Sequence, residues 1–300
     1  MYYLKKAVLN RSAKLDISEE RFLTIRKAKN FLTWMLSIEE QWDTVVQNYI
    51  EFEQDMLREA VNSMVVLHHD YNDFQDIRLG FARRLSNLLS SCKSYIHHTP
   101  QHLKKVIGED SKSKFGEFTN MAYDKFFGYR FMEALRNHAQ HHGLPIDRAA
   151  FGSRWINDEN NQREGLRHHV AAGISLEKLQ KNTKFKKAIL NEISPDNTII
   201  NLVPLIREHM EALGFVHDSI RKLISNEFNE SRLILRTAIE EYENVNGGNS
   251  IGLCAYHITD CEEDSTKVYI IDEVIIRIEQ LMTRNGSLAN FTKRYVTNEL

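Results

Sequence analysis

The stretch richest in residues capable of acid–base or metal chemistry is LRNHAQHHGLP, residues 135–145. It places one arginine, one asparagine and three histidines in the last turns of a predicted helix, which Gly143 and Pro145 would end. Histidine titrates near neutral pH, so it can transfer protons or bind a metal ion. The stretch is therefore a catalytic site, a metal site or a polar helix end without a chemical role.

Helical geometry distinguishes the three histidines. At about 100° per residue, His138 falls on an apolar face and is predicted to pack at the edge of the core. The other members of that face are Phe127, Phe131, Ala134 and Leu135. Arg130, Asn137 and His141 fall on a neighbouring strip, where the Asn137 amide can hydrogen-bond the His141 ring one turn later. Arg136 lies about 140° around the helix from His141, but its long side chain can reach a ligand bound at the helix end.

Arg136-Asn137-x3-His141 resembles the R-(N/D/H)-x3-H signature of the HEPN superfamily, over about residues 35–150. Its members are small, mostly dimeric helical bundles that are common among bacterial toxins and phage-defence proteins. The resemblance implies a metal-independent endoribonuclease site that forms where two copies of the motif meet across a dimer or pseudo-dimer axis. A looser match from Arg163 to His168 has Glu164 in the second position, and we discount it.

The residue types suit RNA cleavage. The 2′-hydroxyl of RNA can attack the adjacent phosphate if one group removes its proton and another protonates the leaving 5′-oxygen. Two copies of His141, one per subunit, would share these roles. Arg136 would hold the phosphate and neutralise the charge on its oxygens, and Asn137 would orient the histidine or contact the phosphate. DNA would not be cleaved by this mechanism, because it lacks the 2′-hydroxyl. The mechanism requires no cofactor.

A metal site is the main chemical alternative at this helix end. His138 and His142 have the i, i+4 spacing that can chelate zinc, but the chain has no HExxH or CxxC pattern to supply further ligands. We therefore expect no metal.

The chain departs from the HEPN pattern at one position linked to regulation. HEPN toxins silenced by adenylylation carry a tyrosine two residues after the histidine, where this chain has Gly143.

A lysine-rich segment, KLQKNTKFKK at 178–187, is either a contact surface for RNA phosphates or a solvated helix face. The predicted RNA-binding residues are Arg130, Lys178, Lys181, Lys184 and Lys187. Lys186 belongs to the same run, and Phe185 lies within it. The same two alternatives apply to the basic N-terminus, which contains Lys5, Lys6, Arg11 and Lys14.

Composition favours a soluble, mainly helical protein. The 300 residues carry a net charge of −2 with only 4 prolines and 13 glycines, which favours long helices and excludes a uniformly basic nucleic-acid coat. Three scattered cysteines, Cys92, Cys254 and Cys261, are typical of a reduced compartment. The start has no signal-peptide pattern, and no apolar stretch is long enough to span a bilayer. We expect a cytoplasmic protein without a membrane partner.

Hydrophobic periodicity predicts helices over 18–66, 74–96, 115–141, 175–192, 198–225 and 228–245, and strands over 251–258 and 267–278. Residues 147–165 are polar and turn-rich, and predict a domain edge or an active-site loop. The predicted fold is mainly α, an HEPN-like helical bundle with additional helices and a small C-terminal β-containing element. The predicted domains are a bundle over 1–150, a further helical region over 151–245, and a β-hairpin or α+β appendage over 246–300.

These expectations combine into one functional hypothesis. The chain would be a homodimeric HEPN-type endoribonuclease that acts on RNA as a toxin or anti-phage effector, with an antitoxin or an activating partner. The alternative is a non-catalytic helical module that binds RNA or a protein.

Overall fold

A computed structural model describes residues 1–7, 12–66, 70–194, 196–259 and 265–296. The chain is 65% helical, which confirms the mainly-α prediction. The helices are α1 (Glu19–Val65), α2 (Tyr71–Ile107), α3 (Ser111–Lys125), α4 (Phe127–His141), α5 (Leu176–Lys181), α6 (Lys187–Asn191), α7 (Leu202–Leu223), α8 (Ser225–Asn246) and α9 (Asp272–Arg284). The strands are β1 (Tyr2–Lys6), β2 (Leu15–Asp16), β3 (Arg148–Asn157), β4 (Arg163–Ser175), β5 (Ile199–Asn201), β6 (Leu253–His257) and β7 (Thr266–Tyr269).

The chain forms two compact units that do not follow the predicted boundaries at 150 and 245. The first unit consists of residues 1–43, 97–115 and 218–286, and the second of 44–96, 116–217 and the described residues from 287 onward. The predicted C-terminal appendage is thus divided between the units. Its two strands belong to the same unit as the N-terminal strand.

The first unit contains an antiparallel sheet in the order β2-β1-β6-β7. One face of the sheet is buried through Leu4, Leu253, Ala255 and Val268. The prediction of a strand over 267–278 is correct only as far as Tyr269. From Asp272 the chain is helical, because acidic residues suit a helix N-terminus and Ile275, Ile278 and Leu281 are buried at three-residue spacing.

The second unit contains α4 and a three-stranded antiparallel sheet in the order β3-β4-β5. The loop predicted over 147–165 is wrong, because 148–157 pairs with 163–175 as a long hairpin. Cross-strand partners such as Ala150 and Ala171 stabilise this pairing, and Phe151 packs edge-on against Phe74 of α2 at 5.4 Å. The predicted helical region 151–245 therefore begins with strands.

Two helix boundaries also differ from prediction. The helix predicted to end at 96 continues through Pro100 to Ile107, since Thr99 and Leu103 are fully buried and tertiary packing stabilises this part of α2. The helix predicted over 115–141 is two helices, because the backbone of Phe126 is extended and its ring is buried. The motif nevertheless lies at the end of a helix, as predicted, with His141 the last residue of α4.

Close packing against α7 fixes the start of α4. A Cβ atom added to Gly128 would lie 2.6 Å from the Leu205 carbonyl oxygen and 2.7 Å from the Glu208 Cβ. The Gly128 amide donates a hydrogen bond of 2.9 Å to Glu208 Oε2, which places a carboxylate at the positive end of the α4 dipole. The absence of a side chain at this position therefore sets the separation of the two helices.

We expect Gly128→Ala to lower the free energy of unfolding by about 1–3 kcal/mol, because the backbones of α4 and α7 must separate to admit the methyl group. Urea denaturation monitored by circular dichroism measures this change. Gly116→Ala in α3 is the matched control: its Cβ would meet no atom within 4 Å, and alanine favours a helix interior by about 1 kcal/mol. Equal stability changes in the two variants would contradict the assignment.

Candidate active site

The motif residues occupy different environments on α4. Leu135 and His138 are buried, Arg136 is half-buried, and Asn137 and His141 are exposed. This pattern follows from the buried stripe of Phe131, Ala134, Leu135 and His138, which confirms the predicted apolar face except at Phe127, which is only half-buried. The exposed strip of the helix therefore carries the asparagine and one histidine of the motif.

His138 is a structural residue. The Asn182 side-chain amide donates a hydrogen bond of 3.0 Å to its Nδ1, and its ring stacks on His142 with centroids 5.9 Å apart. Burial lowers the pKa of His138, and the nearby Lys178 and His142 act in the same direction. The imidazole is therefore neutral at ordinary pH, which leaves its Nδ1 free to accept the amide proton.

The lysine-rich segment packs against α4 through contacts with His138 and through the aromatic ring of Phe185. Phe185 is buried, with ring centroids 6.0 Å from Phe131 and 6.5 Å from His138. Because Asn182 and Phe185 point inward, the helix predicted over 175–192 is interrupted between α5 and α6. The lysines are therefore not one continuous helix face, and Lys184 and Lys186 project outward from the interruption.

Asn137 lines a cleft of about 290 Å³ together with Lys184 and Lys186. We call this the motif cleft; its other lining residues are Ile96, Thr119, Asn120, Tyr123, Tyr129, Glu133 and Ala134. The Lys186 Nζ lies 3.2 Å from the Tyr123 hydroxyl. Glu133 supplies a carboxylate, which lies 3.5 Å from the Lys93 ammonium. Asn137 of the motif and two lysines of the lysine-rich segment, separate in sequence, thus contribute to one concave surface, whereas Arg136 and His141 are not among its lining residues.

Arg136 and His141 retain unused hydrogen-bonding capacity. Arg136 Nη1 donates to Asn137 Oδ1 at 3.2 Å, while its buried Nε has no partner among the described residues. The His141 side chain makes no hydrogen bond within the described ranges. The predicted bond between Asn137 and His141 is absent there; the Asn137 oxygen accepts a hydrogen bond from Arg136.

Arg130 is engaged within the protein. Its guanidinium lies 2.6 Å from Glu192 and donates at 2.7 Å to the Tyr123 carbonyl oxygen near the end of α3. It therefore bridges the break at Phe126 between α3 and α4. This position gives Arg130 a structural role where the sequence predicted an RNA contact.

The remaining predicted lysines differ in their pairing. Lys181 pairs with Glu177 at 2.5 Å, and the Lys178 ammonium lies 4.0 Å from Asp147. Lys187 begins α6 and is exposed. Lys186, which was not among the predicted RNA-binding residues, reaches the motif cleft. The only sequence signal for this arrangement was the presence of Asn182 and Phe185, three residues apart, within the run of lysines.

The chain matches no protein-family model, no curated protein and no solved structure. Within the described residues, no helix combines the length and apolar character needed to cross a membrane. The same residues contain no group of three or more His, Cys, Asp or Glu side chains placed to hold a metal ion. Cys92 and Cys254 are buried free thiols, whereas Cys261 and Arg11 lie outside the described residues.

A second buried histidine supports α4 from α7. His209 is 1% exposed, and its ring centroid lies 5.3 Å from that of Tyr129, which also lines the motif cleft. Neither ring nitrogen has a hydrogen-bond partner within the described residues. Burial lowers the pKa of His209 to about 3. The unfolded chain therefore binds a proton at this residue over a pH range in which the folded chain does not.

We expect the His209 contribution to stability to be complete above about pH 6.5, the unfolded pKa, and to decline as the pH falls toward the folded pKa. When the pH is lowered from 7 to 5, the free energy of unfolding should fall in both proteins. The fall should be about 2 kcal/mol smaller in His209→Leu than in the unsubstituted protein. Urea titrations at both pH values measure this difference. Other buried histidines contribute to both proteins equally, so identical pH slopes would contradict the buried, neutral state of His209.

Proposed function

We propose that this protein is a metal-independent endoribonuclease of HEPN type, with Arg136, Asn137 and His141 as its catalytic residues. The observation that carries the proposal is the motif cleft, in which Asn137 lies with Lys184 and Lys186. A concave surface with two ammonium groups beside a motif asparagine suits the phosphate groups of RNA. In this proposal, the helices around α4 form an HEPN-like bundle.

Each motif residue has a role that its surroundings favour. His141 is exposed and its side chain makes no hydrogen bond within the described residues, so its ring is accessible to a 2′-hydroxyl proton. Arg136 has no carboxylate within 4.0 Å in the described ranges, and its guanidinium can bind a phosphate oxygen in addition to Asn137. Asn137 orients the guanidinium through the 3.2 Å bond and presents its amide to the cleft.

The reaction requires two proton transfers. A neutral histidine takes the 2′-hydroxyl proton as that oxygen attacks phosphorus, and a protonated histidine gives a proton to the departing 5′-oxygen. The products are a 2′,3′-cyclic phosphate and a 5′-hydroxyl. Because each chain supplies one His141, we propose a homodimer in which the two copies act together. Its biological role would be that of a cytoplasmic toxin or anti-phage effector, controlled by an antitoxin or an activating partner.

We expect His141→Ala to reduce the rate of RNA cleavage by about 10²–10⁴-fold, because it removes the proton-transfer group. Arg136→Ala should reduce the rate by about 10²–10³-fold through loss of charge stabilisation. The measurement is cleavage of a fluorescent single-stranded RNA in excess EDTA, with a 2′-deoxy substrate as the uncleavable reference.

His142→Ala is the matched control, since His142 is the exposed neighbour of His141 and lies outside the motif. It should retain cleavage within about threefold of the unsubstituted protein. Equal cleavage by all three variants, or loss of cleavage on adding EDTA, would overturn the proposed function.

The two cleft lysines should contribute to substrate binding. Lys184→Ala/Lys186→Ala is expected to raise the KM for RNA and to reduce the salt dependence of binding by a slope of about 1.4, the value for two lost phosphate contacts on a single strand. Lys181→Ala is the control, because Lys181 is paired with Glu177. An unchanged salt dependence of binding in the double variant would show that these two lysines do not contact RNA phosphates.

The alternative function is a non-catalytic module that binds RNA or a protein, and the motif cleft is compatible with it. Lys184 and Lys186 can bind phosphates without any contribution from His141. The alternative predicts RNA binding that depends on these lysines, with no cleavage by any variant.

A further inference from the structure

The outer face of the sheet in the first unit carries aromatic and basic side chains. Alternate residues of a strand share a face, and the register places Tyr3 opposite Tyr256, Lys5 opposite Cys254, and Cys254 opposite Tyr269. We call this the tyrosine–lysine face, defined by Tyr3, Lys5, Tyr256, Lys267 and Tyr269. Its opposite side is the buried side formed by Leu4, Ala255 and Val268.

The rings and ammonium groups form a row across the strands. Tyr3 and Tyr256 stack with centroids 5.2 Å apart and planes inclined by 19°. The Lys267 ammonium lies 4.4 Å from the Tyr269 centroid and 5.7 Å from that of Tyr256. At the other end, the Lys14 ammonium lies 4.5 Å from the Tyr3 centroid. Tyr269 is 49% exposed, so part of its ring is open to a ligand.

The charge on this face is predominantly positive. Lys14 is paired with Asp16 at 2.9 Å, whereas Lys5 and Lys267 are exposed and have no carboxylate within 4.0 Å in the described part of the chain. The connection between β6 and β7 contains acidic residues at 260–264, which lie outside the described residues. Protein interfaces are depleted of lysine at their centres, so alternating lysines and tyrosines favour a polyanion over a protein partner.

We infer that the tyrosine–lysine face binds single-stranded RNA, with bases stacked on the tyrosine rings and phosphates paired with Lys5 and Lys267. Stacking on aromatic side chains combined with cationic contacts is the general basis of single-strand binding. When the flexible Lys267 stem moves away from Tyr269, the ring face becomes available to a base and the ammonium to a phosphate. The choice of RNA over DNA rests on the endoribonuclease function proposed above. The argument from stacking and charge is independent of that proposed function.

The test measures RNA affinity without cleavage. Every protein carries His141→Ala, and fluorescence anisotropy follows a labelled oligouridylate of about twelve nucleotides, a length within the usual range for single-strand binding. Lys5→Glu/Lys267→Glu should weaken binding at least tenfold. The control, Lys105→Glu/Lys222→Glu, makes the same change in net charge at exposed positions of the same unit and should weaken binding by less than threefold.

Two substitutions of Tyr269 separate stacking from charge. Tyr269→Ala should weaken binding about tenfold, within the range for loss of one stacked base, while Tyr269→Phe keeps the ring and should remain within about twofold of the reference. Thermal denaturation of both variants checks that the sheet still forms. The Phe variant keeps the inference testable if Tyr269→Ala unfolds, since a tenfold loss in Tyr269→Phe would exclude stacking.

The inference is overturned if the lysine pair and its control weaken binding equally, or if an oligodeoxyuridylate is bound in preference to the RNA. Its failure is separable from failure of the proposed function. If cleavage depends on His141 but binding does not depend on Lys5 and Lys267, RNA binding by this face is excluded and the proposed nuclease function is retained. If binding depends on the face but no protein cleaves RNA, the nuclease function is excluded and RNA binding by the face is retained.

Discussion

The candidate active site depends on how closely α4 approaches α7 at Gly128. The two backbones approach so closely there that a methyl group has no room, and the Glu208 carboxylate accepts a hydrogen bond from the Gly128 amide in the first turn of α4. With the start of the helix fixed, the helical period determines which side of every later turn is buried. Phe131, Leu135 and His138 turn inward, and Asn137 and His141 are therefore left on the exposed side.

The far end of α4 is held by polar and aromatic contacts together. Asn182 donates to His138, and Phe185 packs on both His138 and Phe131. A protonated His138 could not accept this bond and would add a charge beside Lys178, so burial and the local charges both favour the neutral ring. One histidine of the motif stretch thus positions the lysine-rich segment, while another is left accessible for chemistry.

Sequence patterns predicted the features that depend on local periodicity. The long α1, the apolar face of α4 and the position of His141 at a helix end all follow from residues within a few turns of one another. The patterns failed where distant partners decide the structure. Residues 148–157 are a strand because 163–175 pairs with them, and the motif cleft exists because Phe185, more than forty residues after Asn137, inserts beside Phe131. No period in the sequence encodes those pairings.

The net charge of −2 means that any affinity for RNA must come from cations that no carboxylate neutralises locally. Many of the arginines are already paired: Arg21, Arg58, Arg84, Arg207, Arg221, Arg232, Arg236 and Arg284 each have a carboxylate within 4.0 Å. Arg221 shows the consequence most clearly, because it donates to both carboxylate oxygens of Glu39, which is 1% exposed. A phosphate could not displace that carboxylate without leaving it buried and unpaired. Arg221 is therefore unavailable to a nucleic acid. Lysines that have no carboxylate within 4.0 Å among the described residues, such as Lys184 beside the motif and Lys5 on the outer sheet face, therefore matter more for RNA recognition than the total number of basic residues does.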